Sequence, residues 1–369
     1  MRGRLDHILA SFVRSGLESL DPTVLDILRL GAYQLLEMGS VPPYAAVSQS
    51  VELARSAGAG RASGLVNGVL QSLRRGASGV LFPSFEQEPV EHLVHWGSHP
   101  RWLVERWVER WGAEEAGRLV DANNTRPDLY LRPIGVSAPK AIQRLKGAGV
   151  EAERVEYFPD SVRVDPAGGP LEALGVLPSV VQDPAAAMVV RYADFPTGSR
   201  VVDLSAAPGG KTIGLAGNGY EVVASDLSLG RMRRVRANAK RAEVVDRVAY
   251  VVSDGRFPPF REVDGVLLDA PCAGTGTLRR HADGRWRITE VDLSALAKLQ
   301  SELLDSAAGL VRPGGVLVYS TCSLEPEENE QQVERFLKKH EKFRLAPTDT
   351  VSEASMSRDG YLSVLPQRH

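Results

Sequence analysis

From Gln182 onward the sequence alternates short apolar runs with helix-like segments, and this alternation constrains the fold more strongly than any other feature. Strands that are joined by crossover helices form a parallel sheet with helices on both faces. Five apolar runs have the length and composition of such strands, namely residues 200–204, 221–225, 248–252, 263–269 and 315–320. We therefore predict an α/β fold, with a Rossmann-like parallel sheet within residues 179–369.

Residues 1–76 carry a helical spacing of apolar residues throughout. Asp21-Pro22 has the pattern of a helix N-cap followed by proline at the first helical position. Pro42-Pro43 opens a further helix, and the last apolar stripe ends at Gly76. This region is predicted to be an all-α domain, a small helical bundle.

A linker and a second small domain are expected next. The stretch over residues 76–89 is rich in Gly, Ser and Pro, which is typical of a connection between domains. Beyond it, residues 102–108 form an aromatic amphipathic helix pattern, whereas residues 129–131 and 161–164 have β-like patterns. We predict an α+β domain over residues 77–178.

The charge balance limits how this protein can bind nucleic acid. The 369 residues carry a formal net charge of −2, so any RNA contact must come from local basic patches. No apolar run approaches the roughly 18 to 20 residues of a membrane span, and the start of the chain lacks the apolar core of a signal peptide. We expect a cytoplasmic protein with no membrane partner.

A glycine-rich loop follows the first predicted strand of the sheet, at the edge where parallel sheets bind ligands. Its two adjacent glycines let the backbone approach a ligand before a helix begins. The loop consists of Ser205, Ala206, Ala207, Pro208, Gly209, Gly210 and Lys211. A phosphate-binding P-loop would need a glycine five residues before Gly210, where Ser205 stands, and the dinucleotide fingerprint has a different glycine spacing. S-adenosyl-L-methionine, which carries no phosphate, fits better.

Two acidic residues end the next two predicted strands. Asp226 follows the glycine turn by about twenty residues, the spacing at which a carboxylate binds ribose hydroxyls, and Asp254 is positioned to receive an adenine amino group. Taken singly, each acid is equally well explained as a helix N-cap. Two acids at matching strand ends, together with the glycine turn, favour a nucleoside-type ligand.

The two cysteines of the chain follow the fourth and fifth predicted strands, at Asp269-Ala270-Pro271-Cys272 and Ser320-Thr321-Cys322. A single cysteine is usually a buried small hydrophobe, and two are too few for a cysteine zinc site, so no metal is expected. A disulfide is disfavoured in a reducing compartment. Two thiols on adjacent loops at the ligand edge instead indicate covalent catalysis.

A thiol is useful to an enzyme that methylates carbon 5 of cytosine. A thiolate that adds to carbon 6 makes carbon 5 nucleophilic enough to accept a methyl group. A second group must then assist proton removal and release, and Asp269 is suited to bind the ring edge and stabilise the adduct. The spacing alone does not say whether Cys272 or Cys322 attacks.

Three motifs resemble those of the RNA cytosine-C5 methyltransferases of the Sun/Fmu type. They are Asp203-Leu204-Ser205-Ala206-Ala207-Pro208-Gly209-Gly210-Lys211-Thr212, Asp269-Ala270-Pro271-Cys272 and Ser320-Thr321-Cys322-Ser323. Residues 98–103 with residues 122–124 resemble the middle RNA-binding region of that family, and residues 1–76 resemble its NusB-like RNA-binding region. The resemblance implies a class I methyltransferase domain over residues 179–369, S-adenosyl-L-methionine as cofactor and a cytosine of small-subunit (16S) ribosomal RNA as substrate.

The resemblance also assigns roles to individual residues. It implies that Cys322 is the nucleophile and that Cys272 assists product release. It places Ser205 to Lys211, Asp226, Asp254 and Asp269 in the cofactor region, and we group Arg231 with them. The sequence departs from the family pattern at Ser205, where cysteine is frequent, and at Ala273, where serine is frequent. It also implies that the first NusB helices and the final strand of the methyltransferase domain are missing.

RNA contacts are expected from a basic loop that flanks the thiol motif and includes an aromatic residue, namely Arg279, Arg280, Arg285 and Trp286. The basic helix after Asp226 is explained equally well as a solvated face. The target base must be single-stranded or flipped out of its stack. We expect a monomer.

Three alternatives remain open. The same chemistry on transfer RNA is one, and a small-molecule or protein methyltransferase is another. A non-catalytic RNA-binding assembly factor is the third, although it would have little use for the glycine loop.

Overall fold

A computed structural model describes residues 1–165, 169–357 and 359–368. The chain forms two compact units, Met1–Asn124 and Thr125–His369. The predicted boundaries after residues 76 and 178 fall inside these units, so the division into three domains stays a prediction. None of the helices in the described residues is long and apolar enough to cross a membrane.

The first unit is helical. Its helices are α1 (Arg2–Ala10), α2 (Pro22–Glu37), α3 (Pro43–Ser56), α4 (Ser63–Gly76), α5 (Pro89–His95), α6 (Arg101–Trp111) and α7 (Ala113–Asn124). Asp21 caps α2 as predicted, because its carboxylate accepts a hydrogen bond from the Thr23 amide at 2.8 Å. Leu9, Leu28 and Leu70 lie fully buried in one apolar core between α1, α2 and α4. The predicted all-α region is confirmed.

The second unit begins with a small antiparallel sheet. Its elements are β1 (Leu129–Pro133), α8 (Ala138–Gly147), β2 (Ala152–Arg154), β3 (Val162–Val164), α9 (Gly169–Val176) and β4 (Ser179–Val181). The strand order is β2-β3-β1-β4. The sequence patterns identify β1 and β3, but they do not indicate β2 or β4.

A five-stranded parallel sheet follows. Its elements are α10 (Pro184–Ala193), β5 (Arg200–Asp203), α11 (Gly210–Gly217), β6 (Glu221–Asp226), α12 (Leu229–Arg241), β7 (Val248–Val252), β8 (Val263–Asp269), α13 (Glu290–Ala308), β9 (Val311–Ser320) and α14 (Glu330–Lys339). The strand order β7-β6-β5-β8-β9 places the point at which the strand order reverses between β5 and β8. Ligands bind at such a switch point, beyond the carboxyl ends of the strands.

The parallel sheet is covered on both faces. Val201 and Leu267 pack into one apolar cluster, and Val202 and Val266, their neighbours along β5 and β8, pack into another. Successive side chains of a strand point to opposite faces, so continuously apolar strands indicate a sheet that is buried on both sides. The predicted α/β fold is confirmed. Among the described residues after α14, Met356 and Leu362 form an isolated bridge and no strand is added to this sheet.

Candidate active site

The loop between β5 and α11 is shaped by its glycines. Gly209 has a φ of 107°, in the left-handed region, and a Cβ atom on it would lie 3.2 Å from the Cα atom of Val235 in α12. Only glycine fits this backbone and this close approach. The amide of Ala206 donates to the Ser225 carbonyl at 2.9 Å, which ties the same loop to β6. The loop therefore presents its backbone at the switch point.

A buried carboxylate supports this loop from below. Asp203 ends β5 and accepts a hydrogen bond of 2.6 Å from the Thr212 hydroxyl in the first turn of α11. Burial raises the pKa of Asp203 to about 7. The contact joins the end of the strand to the start of the helix. Both residues belong to the motif over residues 203–212, whose pattern by itself indicates no role for either of them.

Asp226 joins the ends of β5 and β6. Its carboxylate accepts a hydrogen bond from the Ala207 amide and another from the Ser228 amide, each at 3.2 Å. Arg231 lies 3.3 Å from the same carboxylate and donates to the Ala207 carbonyl at 2.9 Å. Three residues that were assigned to the cofactor region are thus in direct contact.

Asp254 lies beyond β7, and its partner is Arg256. Arg256 donates from its backbone amide at 2.9 Å and from its guanidinium at 2.7 Å, and these hydrogen bonds lower the pKa of Asp254. The Ser253 amide donates to the Asp226 carbonyl at 3.2 Å, so the ends of β6 and β7 are adjacent. Asp254 therefore lies at the predicted strand end, paired with Arg256.

Lys211 connects the glycine loop to the next strand. Its ammonium lies 2.6 Å from Asp269 Oδ2, and the Ser320 hydroxyl donates to Asp269 Oδ1 at 2.8 Å. Burial opposes the charged form of Lys211, but attraction to Asp269 outweighs it and raises the pKa of Lys211. A charged ammonium and a carboxylate therefore lie together where β5, β8 and β9 end.

The two cysteines, 50 positions apart in the chain, are in contact. Their Sγ atoms are 3.3 Å apart, and the Cys322 amide donates to the Cys272 sulfur at 3.3 Å. Both thiols are free, since a disulfide would need a separation of about 2.05 Å. The hydrogen bond between the two sulfurs lowers the pKa of Cys322, whereas the same interaction and burial raise the pKa of Cys272. Cys322 is thus the thiol that ionises more readily.

The loop that carries Cys322 is held by residues that the sequence analysis missed. Asn329 donates to the carbonyls of Ser323 and Glu325 at 2.9 Å each, and it accepts from the Thr321 hydroxyl at 2.6 Å. Next to it, Glu328 is completely buried. No spacing pattern marks these residues, because they lie in an acidic stretch before α14 that suits an ordinary helix start equally well.

The predicted RNA-contacting arginines have partners within the protein. Arg279 donates to the Arg126 carbonyl at 2.7 Å, and Arg280 donates to Asp183 at 2.8 Å. Arg285 is only 2% exposed, and burial lowers its pKa to about 10. This position argues against the phosphate contact expected for Arg285. Trp286 is half-buried.

In contrast to those arginines, most cations of the basic helix α12 have no acidic partner among the described residues. Five of its cations are exposed and form no ion pair with the described residues, namely Arg233, Arg234, Arg236, Lys240 and Arg241. Only Arg231, at its start, is paired with an acid. Among the side chains that the structure describes, no group of three or more His, Cys, Asp or Glu residues is arranged to hold a metal ion.

Three family profiles match successive parts of the chain. A profile described as NusB family matches residues 1–75, and a ferredoxin-like domain of RsmF/B-like methyltransferases matches residues 99–169. A profile described as 16S rRNA methyltransferase RsmB/F matches residues 193–369.

Curated proteins and solved structures give the same picture. The chain is 36% identical to the ribosomal RNA small subunit methyltransferase B of Klebsiella pneumoniae, over 94% of this chain and 80% of that protein. It is 34% identical to a probable ribosomal RNA small subunit methyltransferase B of Synechocystis, over 94% of this chain and 81% of that protein. The crystal structure of a protein called PH0851 is similar over 100% of this chain and 84% of that one, with a TM-score of 0.81 and 30% identity.

Proposed function

The chain belongs to the RsmB/F family of 16S rRNA methyltransferases, and from this premise we propose that it methylates carbon 5 of a cytosine in small-subunit ribosomal RNA through a covalent adduct on Cys322. As a family member it is an S-adenosyl-L-methionine-dependent rRNA methyltransferase. The observation that carries the finer proposal is the thiol pair, in which Cys322 is the more readily ionised partner.

The residues at the switch point fit S-adenosyl-L-methionine. A Cβ atom on Gly209 would press against Val235 in α12, so glycine allows the tight turn that brings the loop backbone to the ligand edge of the sheet. Asp226 and Asp254 end adjacent strands, where carboxylates suit the ribose hydroxyls and the adenine amino group. When it is bound, the cofactor supplies an electrophilic methyl group. The loop from Ser205 to Lys211, Asp226 and Asp254 would hold it and would direct its methyl group to carbon 5 of the bound cytosine.

Cys322 acts as the nucleophile. Its thiolate forms a bond to carbon 6 of the cytosine, and the electron pair of the C5–C6 double bond moves to carbon 5, which then takes the methyl group. Transfer of the carbon 5 proton to solvent water restores the double bond and expels the Cys322 thiolate. Cys272, whose pKa is raised, stays protonated next to Cys322 and assists this release.

Lys211 and Asp269 stabilise the reacting ring. Their ion pair follows β5 and β8, and the Lys211 charge also lowers the pKa of Cys322, although less than the hydrogen bond from Cys272. A carboxylate and an ammonium together match the acceptor and donor groups on the edge of cytosine. Negative charge that develops on the ring after thiolate attack is stabilised by this ammonium.

The RNA substrate must offer an unstacked base. A thiolate cannot reach carbon 6 inside a helix, so the target cytosine is single-stranded or flipped out. Arg279, Arg280 and Trp286 remain the proposed contacts of the flanking RNA, whereas the buried Arg285 supports their loop. A monomeric state and a cytoplasmic location also belong to this proposal. Transfer RNA is the alternative substrate.

The test compares wild type, Cys322→Ala and Cys272→Ala, each incubated with S-adenosyl-L-methionine and either small-subunit rRNA or transfer RNA. We measure 5-methylcytosine and covalent protein–RNA bands on denaturing gels. We expect Cys322→Ala to lose both product and adduct and Cys272→Ala to accumulate the adduct. Methylation that survives Cys322→Ala overturns the nucleophile assignment. Product on transfer RNA alone overturns the substrate.

A further inference from the structure

Glu328 is a buried carboxylate that has no role in the mechanism above. It ends the short 3-10 turn Pro326–Glu328 between β9 and α14, and its side chain is 0% exposed. Burying a carboxylate is costly unless hydrogen bonds replace the lost water. Burial accordingly raises the pKa of Glu328. The position therefore calls for a specific set of partners.

Those partners lie on both sides of Cys272. Glu328 Oε1 accepts a hydrogen bond from the Ala273 amide at 2.9 Å and another from Gln300 Nε2 at 2.8 Å. The same Gln300 nitrogen donates to the Pro271 carbonyl at 2.9 Å. The two peptide groups that flank Cys272 are therefore both held by the pair of Glu328 and Gln300.

The pair is itself fixed to the sheet. The Tyr319 hydroxyl, in β9, donates to the Glu328 carbonyl at 2.7 Å and lies 3.3 Å from Gln300 Oε1. Gln300 is also fully buried, in the middle of α13. The loop that carries Cys272 is thus anchored to α13 and β9, and β9 also leads into Cys322.

We propose that Glu328 is a positioning residue that holds Cys272 at the distance and angle at which its thiol assists release of the Cys322 adduct. This inference rests on the proposed function, because it assigns a step of that reaction. Attack by Cys322 does not require Glu328, whose carboxylate is only a minor cause that raises the pKa of Cys322. Only the release step requires Cys272 to be held in place.

The charge of Glu328 acts in the same direction. The hydrogen bond with Cys322 and burial are the main causes that raise the pKa of Cys272, and the Glu328 carboxylate adds to them. A negative charge close to Cys272 favours the neutral thiol, which is the form that can donate a hydrogen bond to the departing Cys322 sulfur.

The test compares single turnovers of wild type, Glu328→Gln and Cys272→Ala with S-adenosyl-L-methionine and small-subunit rRNA. We expect Glu328→Gln to form the adduct at least as fast as wild type but to release it about tenfold more slowly, because a neutral amide accepts weaker hydrogen bonds from the Ala273 amide and Gln300 and holds Cys272 less firmly. The double variant with Cys272→Ala should be no slower than Cys272→Ala alone, since both changes act on the same step. Glu334→Gln, on the exposed face of α14, is the matched control.

Several outcomes would overturn the inference. Release of the adduct by Glu328→Gln at the wild-type rate is one. Loss of adduct formation together with a lower Tm is another, since that combination indicates a purely structural role. If Glu328→Gln does not fold, Gln300→Met tests the other half of the pair, and wild-type release by that folded variant overturns the inference. If wild type makes no 5-methylcytosine, the proposed function fails as well, whereas normal wild-type turnover with normal release by Glu328→Gln overturns this inference alone.

Discussion

The carboxyl edge of the parallel sheet has two halves that are built differently. The cofactor half comprises Ser205 to Lys211, Asp226 and Asp254, and the thiol half comprises Asp269, Cys272 and Cys322. In the cofactor half, residues just beyond one strand contact those beyond the next, as between Asp226 and the Ala207 amide. In the thiol half, the loops depend on side chains from α13 and from the turn before α14.

This difference predicts how each half responds to substitution. The proposed cofactor half is assembled largely from backbone groups, so a single side-chain change should lower the affinity for S-adenosyl-L-methionine only modestly. The thiol half depends on the identity and protonation of single side chains, so its changes should act on the rate of chemistry. Lys211 belongs to the first half by sequence and contacts Asp269 of the second.

The largest effect is expected for the thiol half. Cys322→Ala removes the sulfur that is proposed to form the covalent bond, and we expect methylation to fall about 10⁴-fold or more. Affinity for S-adenosyl-L-methionine, measured by calorimetry, should stay within about twofold of wild type, because this change leaves the cofactor half intact. A large loss of cofactor affinity would contradict the separation of the two halves.

Lys211→Met tests the bridge between the halves. The variant leaves Asp269 without its ammonium and removes a charge that lowers the pKa of Cys322, so we expect a loss of about 10²- to 10³-fold. The single-turnover rate should rise with pH as Cys322 ionises, and that rise should move to higher pH in the variant. Lys211→Arg, which keeps the charge, should retain the wild-type profile. An unshifted profile for Lys211→Met would show that Lys211 does not act on the thiol.

Asp226→Asn tests the cofactor half. The change weakens the hydrogen bonds from the Ala207 and Ser228 amides and removes the carboxylate that is proposed to bind the ribose hydroxyls. We therefore expect about tenfold weaker binding of S-adenosyl-L-methionine. The rate at saturating cofactor should remain close to that of wild type. A collapse of that rate with unchanged affinity would mean that the cofactor half controls the chemistry directly.

The smallest effect is expected for the support beneath the glycine loop. Because the pKa of Asp203 is raised to about 7 in the folded protein, the unfolded chain loses this proton first, and the residue destabilises the fold progressively from about pH 4 to pH 7. Asp203→Asn keeps an acceptor for Thr212 but cannot ionise. The loss of Tm between pH 5 and pH 7 should therefore be about 2 °C smaller in the variant. An equal loss in both proteins would contradict the raised pKa.

Local patterns allowed several elements to be predicted closely. The predicted bounds 248–252 and 263–269 coincide with β7 and β8, because both are short runs rich in β-branched and apolar residues. For β9 the start was predicted at 315, but the strand begins at Val311 and includes Pro313 and Gly314, which are residues that usually indicate a turn. Val311 pairs with Val263 and Val316 pairs with Gly265, so Pro313 and Gly314 lie in an irregularity between two paired stretches, which only the tertiary structure shows.

The sequence by itself determined which residues end each strand of the parallel sheet, because strand ends follow from periodicity within a few residues. It therefore identified the glycine loop, the acids after β6 and β7 and both cysteines as residues of one edge. Only the tertiary structure decided that the two sulfurs lie 3.3 Å apart, that Glu328 and Gln300 hold the Cys272 loop, and that Arg285 is buried. These properties depend on contacts between segments that are far apart in the chain. Burial and neighbouring charge decide which thiol ionises, and both arise only when those segments pack together.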